Sequence, residues 1–150
     1  MAERQTTPLM RNATAADLPA ICDLLERNGL PTGDLASSAA RFTIASEGSR
    51  IIGAGALERF GSAALLRSVV VDPARRSKGL GRHIVKALEL QARAAGITHL
   101  VLITQTARQF FEHQDYHPVD RAQVPKAVQT SAEFRGLCPA SAGCLMKMLR

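Results

Sequence analysis

The chain has 150 residues and a mass of 16.1 kDa, which by length is one domain, expected over residues 9–150, and is large enough to bury a core without disulfide or metal staples. Hydrophobic residues make up 46% and charged residues 21%, the ordinary globular balance, so disorder and collagen are excluded; the longest apolar runs (Ala63–Leu66, Val69–Val71, Leu100–Ile103) fall far short of the ~18–20 residues that cross a bilayer. Basic residues number 19 against 13 acidic, a net charge of +6, which suits a polyanionic partner such as nucleic acid or a phosphate-bearing cofactor.

Aromatic residues are only 4%, with no Trp and one Tyr, which argues against single-strand nucleic-acid binding by base stacking. The cysteines Cys22, Cys138 and Cys144 are odd in number and form no CxxC pair, so neither a disulfide framework nor a structural zinc site is expected. Residues 1–8 contain no apolar h-region. No secretory signal is therefore expected, and the chain reads as cytoplasmic with free thiols.

In chain order, Leu9 to Asn12 is a short extended stretch. Thr14 then reads as a helix N-cap with Asp17 as its capping-box partner. Leu18, Ile21, Cys22, Leu24 and Leu25 follow at helical spacing, and Asn28-Gly29 with Pro31 stops the helix. The small, polar segment 31–40 is a loop or short helix. Strands are predicted over Arg41–Ser46, Arg50–Glu58 and Ala63–Val71, the second weakened by Gly53 and Gly55, as an antiparallel meander. From Leu80, the positions Ile84, Ala87, Leu88, Gln91 and Ala95 give a helix of about four turns, ended by Ala95-Gly96. A strand His99–Ile103, a helical patch Ala107–Gln114, an extended Tyr116–Asp120, a short helix within 125–131 and a last strand Gly143–Leu149 complete an α/β domain with a mixed sheet.

The segment carrying chemistry is Val69-Val70-Val71-Asp72-Pro73-Ala74-Arg75-Arg76-Ser77-Lys78-Gly79-Leu80-Gly81-Arg82. A buried strand runs into a glycine-containing loop that opens onto a helix, and free N–H groups at a helix start bind phosphates. Five basic residues, Arg75, Arg76, Lys78, Arg82 and Lys86, cluster there. The P-loop pattern is absent, and the dinucleotide fingerprint fails because Ile84 stands three residues after Gly81. A solvated basic loop over a core helix remains the bland alternative for Arg76-x-x-Gly79-x-Gly81 alone.

With its flanks, the segment resembles the GNAT superfamily of acyl-CoA-dependent N-acetyltransferases, whose R/Q-x-x-G-x-G/A signature follows a strand ending in V-D-P and precedes a long helix. Ala107-Arg108-Gln109-Phe110-Phe111-Glu112-His113-Gln114-Asp115-Tyr116 is similar to that family's A-x-x-F-Y-x-x-x-G-F block, and Arg11-Asn12-Ala13-Thr14-Ala15-Ala16-Asp17 to its usual opening. The resemblance implies a GNAT-type mixed, mainly antiparallel sheet with helices on both faces and strands splayed at an acyl-CoA cleft. It implies acetyl-CoA as co-substrate, with Val69, Val70 and Val71 along the pantetheine arm and residues Arg76, Ser77, Lys78, Gly79, Leu80, Gly81 and Arg82 around the pyrophosphate. Thr104 and Phe111 fall at further cofactor positions, and the Val71 N–H is placed to polarise the thioester carbonyl. A neutral amine attacks directly, without a metal.

A base must take the amine's proton. Glu58, at a strand end, is one candidate, with a solvated carboxylate as its bland reading. His99 is a weaker candidate, and Asp72 fits a turn role better. Phe111 stands where the family often has a proton-donating Tyr, Thr104 where it often has Asn, and Asp115 where it usually has Gly. The stretch Phe134-Arg135-Gly136-Leu137-Cys138-Pro139 resembles the arsenic-resistance N-acetyltransferase subgroup, which suggests a small-molecule amine linked to arsenic detoxification. Cys138 and Cys144 offer two thiols for a soft ion, whereas the alternation Cys144-Met146-Met148 fits plain burial. A homodimer is implied by analogy only. The rival readings are a non-catalytic acyl-CoA-binding or sensor protein, motivated by Phe111, and a nucleic-acid-binding module, motivated by the net charge.

Overall fold

The computed structural model describes residues 8–76, 79–137 and 142–149. Its elements are β1 (Leu9–Asn12), α1 (Leu18–Arg27), β2 (Arg41–Glu47), β3 (Arg50–Phe60), β4 (Ala63–Val71), α2 (Leu80–Ala94), β5 (His99–Thr104), α3 (Arg108–Glu112), β6 (His117–Pro118), α4 (Lys126–Gln129) and β7 (Gly143–Met148). The strands form one sheet of seven in the order β1-β2-β3-β4-β5-β7-β6. Every neighbouring pair is antiparallel except β4–β5, which is parallel. This is the mixed, mainly antiparallel sheet expected from the sequence.

Side-chain alternation along the strands sends each sheet face to a different helix. On β2, Phe42 and Ile44 point to α1 and pack with Ile21, Leu24 and Leu25. Ala45, of opposite parity, joins Ile84, Leu88 and Ala92 of α2 on the other face. A third cluster sets Leu65 and Val101 against Val124 and Val128 around α4. Helices thus cover both faces.

Two local features explain why these elements sit where they do. At the start of α1, the Asp17 carboxylate accepts the Thr14 N–H at 2.7 Å and a two-pronged bond from Arg11 at 2.8 and 2.9 Å. The first turn, Ala15–Asp17, is a 3-10 turn, and Pro19 lies in the first turn of α1, where its missing N–H costs nothing. Gly53 and Gly55 do not merely weaken β3. A Cβ at either would lie 2.8 Å from Ile84 Cδ1 or Leu88 Cδ1 respectively, so their bareness lets α2 rest directly on the strand backbone.

Segment 31–40 takes the loop alternative, as turns without a helix, and the helical patch at 107–114 narrows to α3. The 3-10 turns Pro73–Arg75 and Arg121–Gln123 and a π-type turn over Glu133–Leu137, in which Gly136 has φ 149°, lie outside the sequence expectations.

Candidate active site

The parallel pairing of β4 with β5 covers only Ala63↔His99, Ala64↔Leu100 and Leu65↔Val101. Beyond these rungs the strands part. At the same level β4 bulges against β3, the register shifting between Ala54 and Ala56. Ser68 sits in that bulge with φ 59°, and such bulges bend a strand away from its neighbour. A cleft of about 1100 Å³ opens between the parted strands.

One half of the cleft brings together a strand edge, a helix start and two arginines. Val69, Val70 and Val71 line its β4 side, Thr104 and Phe111 its β5 side, and Gly79, Leu80, Gly81 and Arg82 its end. Gly79 caps α2 with φ 76°, a left-handed conformation that glycine adopts without a Cβ penalty. Among the described residues, the first N–H to bond back in this helix is that of His83, to Gly79 O at 3.1 Å. The first N–H groups of a helix point to its positive dipole end and suit an outside acceptor. Arg76 lines the same end, donating from Nε to Val71 O at 3.2 Å and from Nη2 to Asn28 Oδ1 at 2.8 Å. Neither Arg76 nor Arg82 is ion-paired among the described residues. Ser77 and Lys78 lie outside the described residues.

The loop before α2 is pinned from below. Asp72 accepts the Ala74 N–H at 3.0 Å and Arg50 Nη2 at 2.9 Å. These bonds, the backbone one foremost, hold its carboxyl below the usual range. Arg75 pairs with Glu47 at 2.6 Å. Asp72 accordingly has a turn role. His99 stands at the closed end of the β4–β5 pairing, its Nδ1 2.8 Å from Thr98 Oγ1, and does not line the cleft.

The other half of the cleft is lined by Asn28, Leu30, Arg67, Ser68 and Glu133 among others. Arg67 organises it. Its side chain is 0% exposed and meets Asp34, Glu58 and Glu133. Nη1 and Nη2 donate to the two oxygens of Asp34 at 2.6 and 2.7 Å, and Nη1 also to Glu58 Oε1 at 3.0 Å. Nε lies 3.0 Å from Glu133 Oε2 but off the hydrogen-bonding direction. Burial opposes the guanidinium charge, yet Asp34, Glu133 and Glu58 together hold its pKa above the ordinary value. Arg67 in turn holds the Asp34 carboxyl below its ordinary value. Glu58 is thus buried behind Arg67 and does not itself line the cleft, whereas Glu133 does.

Behind the β5 side, Phe111 stacks edge-on against Phe110 and Tyr116, with centroids 5.0 and 5.6 Å away. The Tyr116 hydroxyl donates to Glu89 Oε2 at 2.8 Å, and Lys147 Nζ reaches the same carboxylate at 3.1 Å. Burial, with Glu89 adding to it, pushes the Tyr116 pKa far up, so this phenol is structural and supplies no proton to the cleft. Cys144 is buried in β7, which pushes its thiol up to about 11. Cys138 lies outside the described residues.

Of the residues singled out from the sequence, Val69, Val70, Val71, Arg76, Gly79, Leu80, Gly81, Arg82, Thr104 and Phe111 line the cleft, and so do Arg67, Ser68 and Glu133, which the sequence reading missed. The one available signal was an arginine inside the most apolar strand, Ala64-Leu65-Leu66-Arg67-Ser68-Val69-Val70, since a charge there is expensive unless paired.

Comparison with known proteins agrees with this geometry. The profile for an acetyltransferase (GNAT) domain matches residues 38–118. An amino-acid acetyltransferase from Vibrio cholerae is 28% identical over 135 residues, covering 84% of this chain and 30% of that enzyme. The N-acetylglutamate synthase of Neisseria gonorrhoeae, solved with coenzyme A and N-acetyl-glutamate, superposes with a TM-score of 0.82 at 19% identity, over 98% of this chain and 36% of the other. A Mycobacterium tuberculosis protein solved in complex with CoA gives 0.80 at 23%, over 95% and 100%. The chain thus spans about a third of the length of the first two relatives, and at such identities the structural likeness is one of fold.

Proposed function

The chain belongs to the GNAT acetyltransferase family, and on that premise we propose that it is an acetyl-CoA-dependent N-acetyltransferase acting on a small-molecule amine held beside the thioester. The observation that carries this reading is the opening between β4 and β5, which leads to the N-terminus of α2 and to Arg76 and Arg82. An extended slot ending in an anion site fits a ligand with an amide-bearing arm and a diphosphate. CoA in the two solved structures of the same fold supports it.

In this reading the β4 backbone from Val69 to Val71 pairs with the arm like an added strand. N–H groups of the segment from Arg76 to Arg82 hold the pyrophosphate, with Arg76 and Arg82 supplying charge. Thr104 and Phe111 flank the opposite side, and the Val71 N–H polarises the thioester carbonyl. The amine nitrogen forms the bond to the acetyl carbon, the C–S bond breaks, and the sulfur leaves as thiolate. With a thiol pKa near ~8.5, that leaving group needs little help, which is compatible with Phe111 in place of a phenol. The amine's proton goes toward Glu133, the carboxylate that lines the cleft; Glu58, fixed by Arg67, acts through that pair. The link to arsenic detoxification rests on the Phe134–Pro139 resemblance, a homodimer on family analogy, and a cytoplasmic location on the cysteine usage and the composition of residues 1–8; no helix among the described residues is long and apolar enough to cross a membrane.

Thermal melting with acetyl-CoA tests the cofactor half. Ligand at ~100 times its dissociation constant stabilises the fold by ~2.7 kcal/mol, and an unchanged melting temperature at millimolar acetyl-CoA overturns the reading. Thiol release with amines then separates an enzyme from a non-catalytic binder.

A further inference from the structure

We propose that Ser68 is a catalytic residue of the acetyltransfer: its hydroxyl accepts an N–H of the acceptor amine and so aims the nitrogen lone pair at the acyl carbon. The inference rests on the acetyltransfer reading above and names a further residue of that same site. Three observations carry it. Ser68 is 6% exposed and lines the cleft, yet its Oγ has no hydrogen-bond partner among the described residues. A buried hydroxyl left unmatched is costly and uncommon, and the cleft beside it has room for a ligand atom. The backbone at Ser68 is left-handed, with φ 59°, which a residue with a Cβ adopts only at a cost; such strain gathers where a site needs a side chain held in an unusual direction. Its place on β4 is the third observation. Val69 to Val71 follow it and Arg67 precedes it, at the bulge where β4 leaves β5. A pantetheine arm with its pyrophosphate at α2 points its acyl end down β4, away from α2, and the attacking nitrogen comes from the side of Ser68 and Arg67.

Polar side chains around it are already engaged. Thr104 Oγ1 accepts the Ala107 N–H at 2.9 Å. Asn28 accepts from Arg76 Nη2 and donates from Nδ2 to Leu24 O, both at 2.8 Å. The Arg67 Nη atoms bond Asp34 and Glu58, and a guanidinium has no lone pair to offer an N–H. The Ser68 hydroxyl has two acceptor lone pairs and a proton that rotates out of the way. In a neutral amine the N–H groups lie on the side away from the lone pair, so one N–H held by Ser68 Oγ fixes the direction of attack. Orientation of this kind converts an encounter into a near-attack geometry. Ser68 moves no proton in this role. The nitrogen–carbon bond forms, the C–S bond breaks and the amine's proton leaves as described above, while the hydroxyl holds the nitrogen.

The experiment measures thiol release from acetyl-CoA by the parent protein, Ser68→Ala and Ser68→Gly, together with their melting temperatures. The acceptor probes are tyramine, cadaverine, L-glutamate and hydroxylamine, the last small enough to enter a pocket shaped for a larger amine. Alanine removes only the hydroxyl, and glycine also relieves the backbone. The expected result is that both variants lower kcat/KM for the acceptor by about tenfold or more. Both should keep the KM for acetyl-CoA and its stabilising effect, and without ligand neither should melt below the parent, with glycine above it. Parent-like turnover in either variant overturns the proposal. So does a melting temperature that falls along with the rate in Ser68→Ala, since the hydroxyl is then structural, or a parent protein that acetyl-CoA stabilises but that releases thiol with no probe above the uncatalysed background. Failure of the underlying reading is distinguishable, because acetyl-CoA then leaves the parent's melting temperature unchanged.

Discussion

Among the described residues, two other than glycine, Ser68 and Asp115, hold a left-handed backbone, with φ 59° and 70°, and they do so for different reasons. Asp115 ends the turn after α3, where the related family usually has glycine, and its N–H bonds to Glu112 O at 3.1 Å. No cleft contact depends on its side chain, so the strain there is removable. Asp115→Gly should stabilise the protein by about 0.5–1 kcal/mol, measured as a higher urea midpoint with unchanged acetyl-CoA binding. Ser68 lines the cleft and offers the hydroxyl argued above, so its strain is tied to the site. At this scale the sequence was least readable. Glu58 stood out because it ends a strand, yet its role is set by the β3–β4 register, which pairs Glu58 with Leu65 and Ala56 with Arg67 and so brings Arg67 diagonally beside it. Asp34 and Glu133 converge on the same guanidinium from distant loops, and no local pattern encodes that.

Elements were far more legible. Leu9–Asn12 and Ala63–Val71 are strands at the bounds read from alternation and turn residues, and α2 starts at Leu80 as the glycine loop implied. Periodicity suffices for such segments because burial on one face repeats over several turns or pleats. The turn at Glu133–Leu137 is too short to repeat. It is held instead by Ser131, which accepts the Phe134 N–H on Oγ at 3.3 Å and the Arg135 N–H on its carbonyl at 3.0 Å. Composition misjudged the glycines of β3, since it registers their poor strand propensity and not the helix lying on them. The packing gives a direct test. At Gly55 even a Cβ would come within 2.8 Å of Leu88 Cδ1 and 2.9 Å of Ile84 Cγ2, so Gly55→Val, although a better strand former, should cost about 1–3 kcal/mol by overpacking. An equal or raised melting temperature for that variant would contradict the close approach of α2.

For the molecule as a whole, charge is sorted along the cleft. Arginines 76 and 82 mark one end and the carboxylates around Arg67 the other, so the net charge of +6 understates how polar the site is. The sorting also governs acid stability. The Asp34 carboxyl is held below its unfolded value, about 3.9 for a free Asp, so the unfolded chain binds its proton first as the pH falls. Its contribution is complete above that value and is lost as the pH drops through the folded pKa. Asp34→Asn should therefore lower the urea midpoint clearly at neutral pH, and the gap to the parent protein should narrow as the pH falls below the ordinary Asp value of about 3.9.

The three-rung limit on the β4–β5 ladder has one more consequence. A sheet unzipped from within presents two internal margins whose peptide groups lack cross-strand mates, and exposed margins of that kind invite whatever extended chain is at hand. A pantetheine arm is a non-peptide mimic of such a chain, and seated there it would act as a missing strand, sealing the seam for as long as it stays.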